Sequence, residues 1–340
     1  MSNLEKALAD INKKFGKNSV IVLGDEDPNK VNCIPTGSLQ LDKALGGGIA
    51  IGRITEIYGV EGAGKTTLCL QIVNQCQQSG DNVAYVDVEN AVDLNYAKTL
   101  GVDVSSLIFS QPSSAEQALD IVEALVKSNE VKLVIIDSVA ALAPQAELDG
   151  EMGDATVGLV ARLMGKALRK ITAAVNKSNC AVVFINQLRS NIGGYGNPDT
   201  TTGGRALKYA ASQRIEMRKT TAIKEGQTVV GNLVKIKIVK NKICPPMQVV
   251  ELPLIFGKGF APGEEVIDLA IEFEFIQKGG AWFTTHNGVR LQGKSNIKGY
   301  YEAHPELLEE LTKMVKDRLS GTDIVQEYNI DSETGELLES

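Results

Sequence analysis

Two hydrophobic patterns alternate along most of the chain. Short strand-like runs occupy Ile54–Tyr58, which alternates, and Asn82–Glu89, Val131–Ser138 and Ala181–Gln187, which are nearly continuously apolar. Between them lie longer segments with helical spacing: Thr67 to Gln78, with Leu68, Ile72 and Cys76 on one side, and stretches near 114–128 and 156–177. An apolar run without polar alternation predicts a strand covered on both faces, and the β/α alternation predicts a mostly parallel sheet between helical layers. The expected fold class is therefore α/β. Before this region, residues 4–15 set Leu4, Ala7, Leu8, Ile11 and Phe15 on one helical stripe that Gly16 ends. Residues 35–42 read as a turn capping a short helix, which Gly46-Gly47-Gly48 closes. Residues 228–256 change to β alternation. From about 263 the aromatics Phe273, Phe275, Trp282, Phe283, Tyr300 and Tyr301 gather, and Pro305–Leu319 reads as an amphipathic helix. The expected organisation is an N-terminal helix and linker (1–32), an α/β core (33–261), a small α+β domain (262–320) and an acidic, disordered tail (321–340).

The polar residues that end the apolar runs carry the chemistry. After the first run comes Gly59-Val60-Glu61-Gly62-Ala63-Gly64-Lys65-Thr66, which fits G-x-x-x-x-G-K-[ST], between a strand and a helix. Its backbone N–H groups, with the helix N-terminus beyond Thr67, suit a phosphate chain. Lys65 is expected to reach the β- and γ-phosphates and Thr66 to hold Mg²⁺. Four apolar residues followed by Asp137 form a Walker B pattern, with Asp137 expected to act on the metal through a water. Glu89 is the candidate for orienting and deprotonating an attacking water; a solvated loop acid is the bland alternative. Gln187, a neutral amide, suits a sensor of the γ-phosphate. In a parallel sheet such endings share the carboxyl edge, where ligands bind.

Beyond Gln187, residues 188–205 are too long for an ordinary connection and rich in glycine, including Gly203 and Gly204. Arg189, Arg205 and Lys208 supply positive charge and Tyr195 a flat ring, as a loop gripping single-stranded nucleic acid would. A shorter loop, 150–158, precedes a helix with Arg162, Lys166, Arg169 and Lys170 on one side; a solvated charged face is the alternative there. Bulk charge does not announce a nucleic-acid binder: the 340 residues carry a formal net charge of -7, so any such site is local. The five cysteines contain no C-x-x-C pair and only two histidines accompany them, which disfavours zinc and suits a reducing cytoplasm. No run approaches the length of a membrane span.

The segments IPTGSLQLD, EIYGVEGAGKTTL, IDSVAAL, FINQLR, GNPDTTTGGRALKY and the KNK of Lys240–Lys242 together resemble the RecA family of bacterial DNA strand-exchange recombinases, over nearly the whole chain. The phosphate loop alone is shared by many ATPases; TTTGG after FINQ, with KNK, is specific. The resemblance implies a RecA-like fold. It also implies MgATP held by Lys65, Thr66 and Asp137, with Glu89 as the hydrolytic glutamate, Tyr96 stacked on adenine and Gln187 as the γ-phosphate switch. Loops 150–158 and 187–204 are similar to DNA-binding loops, with Arg162, Arg169, Arg189 and Lys208 in matching places. Lys240 and Lys242 resemble lysines that reach a neighbouring subunit's ATP, and the first helix resembles one that docks on the next protomer. The implied activity is a DNA-dependent ATPase that forms a helical homo-filament on single-stranded DNA and pairs it with homologous duplex DNA. Its setting is recombination, repair and the SOS response, with an SOS-type repressor as a further partner.

Val60, Gly62 and Ala63 stand where the family usually carries Pro, Ser and Ser, and Asn90 replaces a usual His. The loop positions act through backbone amides, so ATP binding is expected to survive. Other readings are a hexameric helicase-like motor of the same fold, a regulator that binds ATP without hydrolysing it, and a small-molecule P-loop kinase. Intact Glu89 opposes the second and the glycine-rich basic loop the third.

Overall fold

The computed structural model describes residues 2–16, 19–20, 31–151, 158–190, 199–260 and 263–319. Tyr195, most of loop 150–158, residues 191–198 of the long loop, the linker residues 24–30, Ala261-Pro262 and the acidic tail lie outside the described residues. The chain forms two compact units, residues 1–32 and 33–340.

The first unit is built on α1 (Asn3–Phe15). A capping box starts it: Glu5 N–H donates to Ser2 Oγ at 3.2 Å and Ser2 N–H to Glu5 Oε2 at 2.7 Å. Gly16, at φ +107°, ends it and donates its N–H to Asn12 O. Asn12 also fixes the exit of the helix, bonding both the N–H and the C=O of Val20 at 3.0 Å. None of the residues of α1 is buried among the described residues.

The second unit opens with the short antiparallel pair β1 (Cys33–Ile34) and β2 (Ile49–Ala50) around α2 (Leu39–Leu45). Ser38 caps α2 and Gly46 closes it in the left-handed region. The main sheet and its helices then follow in order: β3 (Ile54–Gly59), α3 (Lys65–Gln78), β4 (Val83–Asp87), α4 (Leu94–Thr99), β5 (Ile108–Ser110), α5 (Ala115–Ser128), β6 (Leu133–Asp137), α6 (Gln145–Leu148), α7 (Leu159–Val175), β7 (Ala181–Ser190), β8 (Asp199–Thr201), α8 (Ala206–Ala210), β9 (Gln213–Glu225), β10 (Thr228–Asn241), β11 (Val249–Ile255) and β12 (Gly259–Phe260). The strand order is β12-β11-β10-β9-β3-β7-β6-β4-β5, with β8 paired to β7. From β5 to β9 every pair is parallel; β9 to β12 continue as antiparallel hairpins.

The continuous apolar runs explain the layers. All five residues of β4 and of β6 are buried, so each strand gives alternate side chains to opposite faces. Tyr85, Leu133, Ile135 and Ile57 join α3 on one face; Val86, Val134 and Ile136 join α5 and α7 on the other. A third core belongs to α9 (Gly263–Glu272), β13 (Gln277–Gly279), β14 (Trp282–Thr284), β15 (Arg290–Gln292), α10 (Lys294–Ala303) and α11 (Pro305–Leu319). There Phe283 and Tyr301 pack with Ile267, Ile276, Leu311 and Val315. No helix among the described residues is long and apolar enough to cross a membrane.

Candidate nucleotide site and the ribbon beside it

The carboxyl ends of β3, β4, β6 and β7 do converge. A cavity of about 290 Å³ is lined by Glu61, Gly62, Gly64, Lys65, Thr66, Thr67, Glu89, Asp137, Ser138, Ile185, Gln187 and Leu254. Gly59, Val60 and Ala63 complete the loop behind it. Gly64 sits at φ +83° as the residue before α3, and a Cβ there would meet Leu254 Cδ2 at 2.7 Å, so both conformation and space require glycine. Lys65 starts the helix, and its Nζ donates to the carbonyls of Gly59 at 3.2 Å and Val60 at 2.9 Å. Burial holds this ammonium below its ordinary range, against the pull of the Asp137 and Glu89 charges. An anion placed in the loop relieves that cost, since it replaces neutral carbonyls with charge.

Asp137 Oδ2 accepts two hydrogen bonds, from Thr66 Oγ1 and from Tyr85 OH, each at 2.8 Å. Burial pushes the Asp137 carboxyl up; the two donors pull it down, and the Glu89 and Asp87 charges push it up further. Thr66 and Asp137 are oxygen donors of the kind a hard divalent cation takes. Tyr85 is completely buried and its phenol is held well above its ordinary range, so it remains a donor. Sequence reasoning missed it because one Tyr inside the run Val83–Val86 looks like core. On the other side of the cavity Glu89 Oε1 accepts from Gln187 Nε2 at 3.0 Å and, by a short bond, from Ser138 Oγ. Ser138 directly follows the Walker B aspartate, a signal that could have been read. Thr67 Oγ1 lies 3.3 Å from Tyr96 OH, which sets the Tyr96 ring at the start of α3.

Gln187 stands where β7 leaves the sheet. It is level with Gly59 on β3, and the next three residues of β7 pair with β8 as a two-stranded ribbon: Leu188 opposite Thr201, Arg189 opposite Thr200, Ser190 opposite Asp199. The long loop predicted from 187 to 204 is thus a ribbon at its base. The ribbon is anchored below by a buried polar chain. Arg214 Nε donates to Glu56 Oε2 at 2.5 Å, Asn186 Nδ2 donates to Glu56 Oε1 and to Thr202 O at 3.0 Å each, and Thr202 Oγ1 donates to Asn186 Oδ1. Glu56 is fully buried, and both of its carboxyl oxygens are bonded within this chain of contacts. Where the chain leaves the base of the ribbon Gly203 and Gly204 have positive φ, and added Cβ atoms would strike Val139 Cγ1 at 2.7 Å and Ala161 Cβ at 2.9 Å. The two glycines thereby let the ribbon lie against the start of α7. Arg162 and Arg169 on α7, and Arg205 and Lys208 around α8, are exposed. Lys170, on the same helix, pairs with Glu123 at 3.4 Å.

Lys240 and Lys242 are not brought to the cavity of their own chain. They end β10, where Lys240 Nζ donates to the carbonyls of Lys208 at 3.0 Å and Tyr209 at 3.2 Å. Burial, then the Lys242 and Arg214 charges, lower the Lys240 ammonium from its ordinary range.

Comparison with known proteins bears on the whole chain. The family model described as the RecA N-terminal domain matches residues 2–261, and that of the RecA C-terminal domain residues 264–320. The chain is 52% identical to Protein RecA of Nautilia profundicola over 320 residues, 93% of this chain and 91% of that protein. It is 47% identical to Protein RecA of Acinetobacter baumannii over 341 residues, covering 99% and 98%. Among solved structures, that of the RadB recombinase is similar with a TM-score of 0.51 at 25% identity, covering 67% of this chain and 98% of that one.

Proposed function

The chain belongs to the RecA family, and from that premise we propose that it is a DNA recombinase: an ATPase that assembles on single-stranded DNA and pairs it with a homologous duplex. The observation that carries the reading is the position of Gln187. It bonds Glu89 inside the cavity and opens the ribbon that leads to the glycine-rich loop.

The residues divide the work as follows. The loop Gly59–Lys65 cradles the phosphates through backbone N–H groups, and Lys65 exchanges the two loop carbonyls for phosphate oxygens. Thr67 and Tyr96 border the adenine side. Thr66 and Asp137 would hold Mg²⁺, which when bound would neutralise charge on the phosphate oxygens. Glu89 takes a proton from the attacking water as the water oxygen closes on the γ-phosphorus and the bond to the β,γ-bridging oxygen breaks, giving ADP and phosphate. Its Oε1 is at present occupied by Gln187 and Ser138. A γ-phosphate offers the Gln187 amide a charged acceptor in place of Glu89. Loss of the γ-phosphate on hydrolysis returns the amide to Glu89. Transfer of that amide frees Glu89 for the water and shifts the root of the ribbon. Nucleotide state and the grip of Arg162, Arg169, Arg189, Tyr195, Gly203, Gly204, Arg205 and Lys208 on DNA are thereby coupled.

Lys240 and Lys242 serve a neighbouring copy's ATP. Their position outside their own cavity supports this, because a lysine pair that cannot reach the phosphates in cis is available in trans. The apolar stripe of α1, with Leu4, Ile11 and Phe15 exposed, is the docking face between copies. Residues 33–261 act as the ATPase core, 262–320 as an appended domain and 321–340 as an acidic regulator of DNA access. The protein works in the cytoplasm in DNA repair and the SOS response, with an SOS-type repressor as a further partner. Electron microscopy of the protein with ATP and single-stranded DNA tests the reading. Helical filaments on the DNA support it; closed rings or no assembly overturn it.

A further inference from the structure

Where α9 seats on α2, the contact runs through a carboxyl group that is incompletely satisfied. Glu265 on α9 is 4% exposed. Its Oε2 accepts from Ser38 Oγ at 2.6 Å and from Gln40 N–H at 3.2 Å, while its Oε1 is buried without a hydrogen-bond partner among the described residues. Ser38 is the N-cap of α2, so the same hydroxyl that starts this helix, accepting from Leu41 N–H at 3.1 Å, also holds the C-terminal segment. One turn along α2 stands a second carboxyl, Asp42, whose Oδ1 accepts from Thr36 N–H at 2.7 Å. The charged groups facing the pair are Lys43 on α2, which is engaged by Glu272, Lys316 on α11 and the Cys33 thiol on β1. On α9 itself Asp268 is paired with Lys294.

An ionised carboxylate with one oxygen dry and unpartnered bears the full desolvation cost. A neutral carboxyl fits the geometry: its carbonyl oxygen accepts both bonds and its hydroxyl occupies the unpartnered position. Asp42 adds like charge to the same patch, which further disfavours two ionised groups. We propose that Glu265 carries its proton on Oε1 while α9 is seated on α2, and that loss of this proton loosens the contact, so that seating of residues 263–319 on the nucleotide core is proton-linked. This goes beyond the recombinase reading and does not depend on it. A cleft of about 710 Å³, lined by Leu39, Asp42, Val266, Leu308 and Lys316 among others, runs beside the contact and widens when it opens.

The direction is fixed by linkage. Burial pushes the Glu265 carboxyl up in the seated state, opposed by the Ser38 hydroxyl and the backbone N–H groups of Gln40 and Leu39. Burial likewise pushes Asp42 up to about 7, opposed by Thr36 and Lys316 and aided by Glu265. Both groups hold their protons more tightly when seated. Seating is therefore strongest at acid pH and weakens as pH rises from the ordinary carboxyl range through the raised values, by at most about tenfold per pH unit for each proton.

Hydrogen exchange of the full chain, read for α2 and α9 and corrected for intrinsic rates, tests this between about pH 5.5 and about pH 8.5. The expected result is protection that falls at least about tenfold over this range in the wild type. The fall is shallower in Glu265→Gln, whose amide oxygen keeps both bonds and which leaves only Asp42 to ionise at this contact. Asp42→Asn, retaining the bond from Thr36, shows a shallower slope than the wild type. A level wild-type profile, or Glu265→Gln following the wild type, overturns the proposal. Should Glu265→Gln not fold, the infrared band of a protonated carboxyl in the wild type at neutral pH, insensitive to Asp42→Asn, decides it: its absence overturns the proposal.

Discussion

Tyr85→Phe removes one oxygen atom from the molecule and tests how the metal-side carboxylate is held. Tyr85 has no exposed surface and its ring packs 6.4 Å, centroid to centroid, from that of Phe109, so Phe keeps the packing. What is lost is a 2.8 Å bond to Asp137 Oδ2, leaving Thr66 as the other donor to that oxygen. A bond to a charged acceptor in a buried place contributes about 1.5–3 kcal/mol. That corresponds to roughly 10- to 150-fold in the equilibrium between ionised and protonated Asp137. The sign follows from the cause. Burial already raises the carboxyl and the Tyr85 bond opposes it, so removal raises it further. The ionised form is then lost at a higher pH as acid is added. The assay is ATP turnover against pH and against Mg²⁺ concentration. The acid limb is expected to move to higher pH, and half-maximal Mg²⁺ at a fixed pH on that limb to rise by about tenfold, with the alkaline plateau nearly unchanged. A variant with the acid limb and Mg²⁺ midpoint of the wild type refutes the argument that Tyr85 holds Asp137 ionised.

Three further outcomes are expected. Lys240→Ala with Lys242→Ala keeps ATP binding but loses the DNA-stimulated part of hydrolysis, on the order of 10³-fold, as for removal of cations supplied in trans; normal stimulated turnover in equilibrium-binding-competent protein contradicts the trans role. Gln187→Ala uncouples the two sites, so that ATP no longer tightens single-stranded DNA binding in a titration; tightening equal to that of the wild type places the switch elsewhere. Deleting residues 321–340 speeds loading on duplex DNA at low salt, because an acidic segment no longer competes for basic surface; an unchanged loading rate counts against such a tail.

The site was readable where one local signal sufficed. Gly59–Thr66 fixes strand, loop and helix together, and Glu89, Asp137 and Gln187 each end an apolar run, so a parallel sheet must bring them to one edge. The rest depends on pairings that periodicity does not carry. That β9 lies parallel to β3, placing Arg214 beside Glu56, is set by sheet register over 158 positions of sequence. Glu56 itself looked like the polar member of an alternating strand, yet it is fully buried. Tyr85 and Ser138 act through a terminal oxygen, which a hydrophobic pattern does not register. The seating of Glu265 on Ser38 joins residues 227 apart, and nothing local marks either one.

The central claim is that one strand, β7, links nucleotide to DNA, so a single comparison tests it: ATP hydrolysis by the wild type with and without single-stranded DNA, measured with sedimentation of the same samples. Hydrolysis that rises on adding DNA, in step with assembly into large particles, is the predicted result. Equal rates with and without DNA, from protein that stays monomeric, contradict the account.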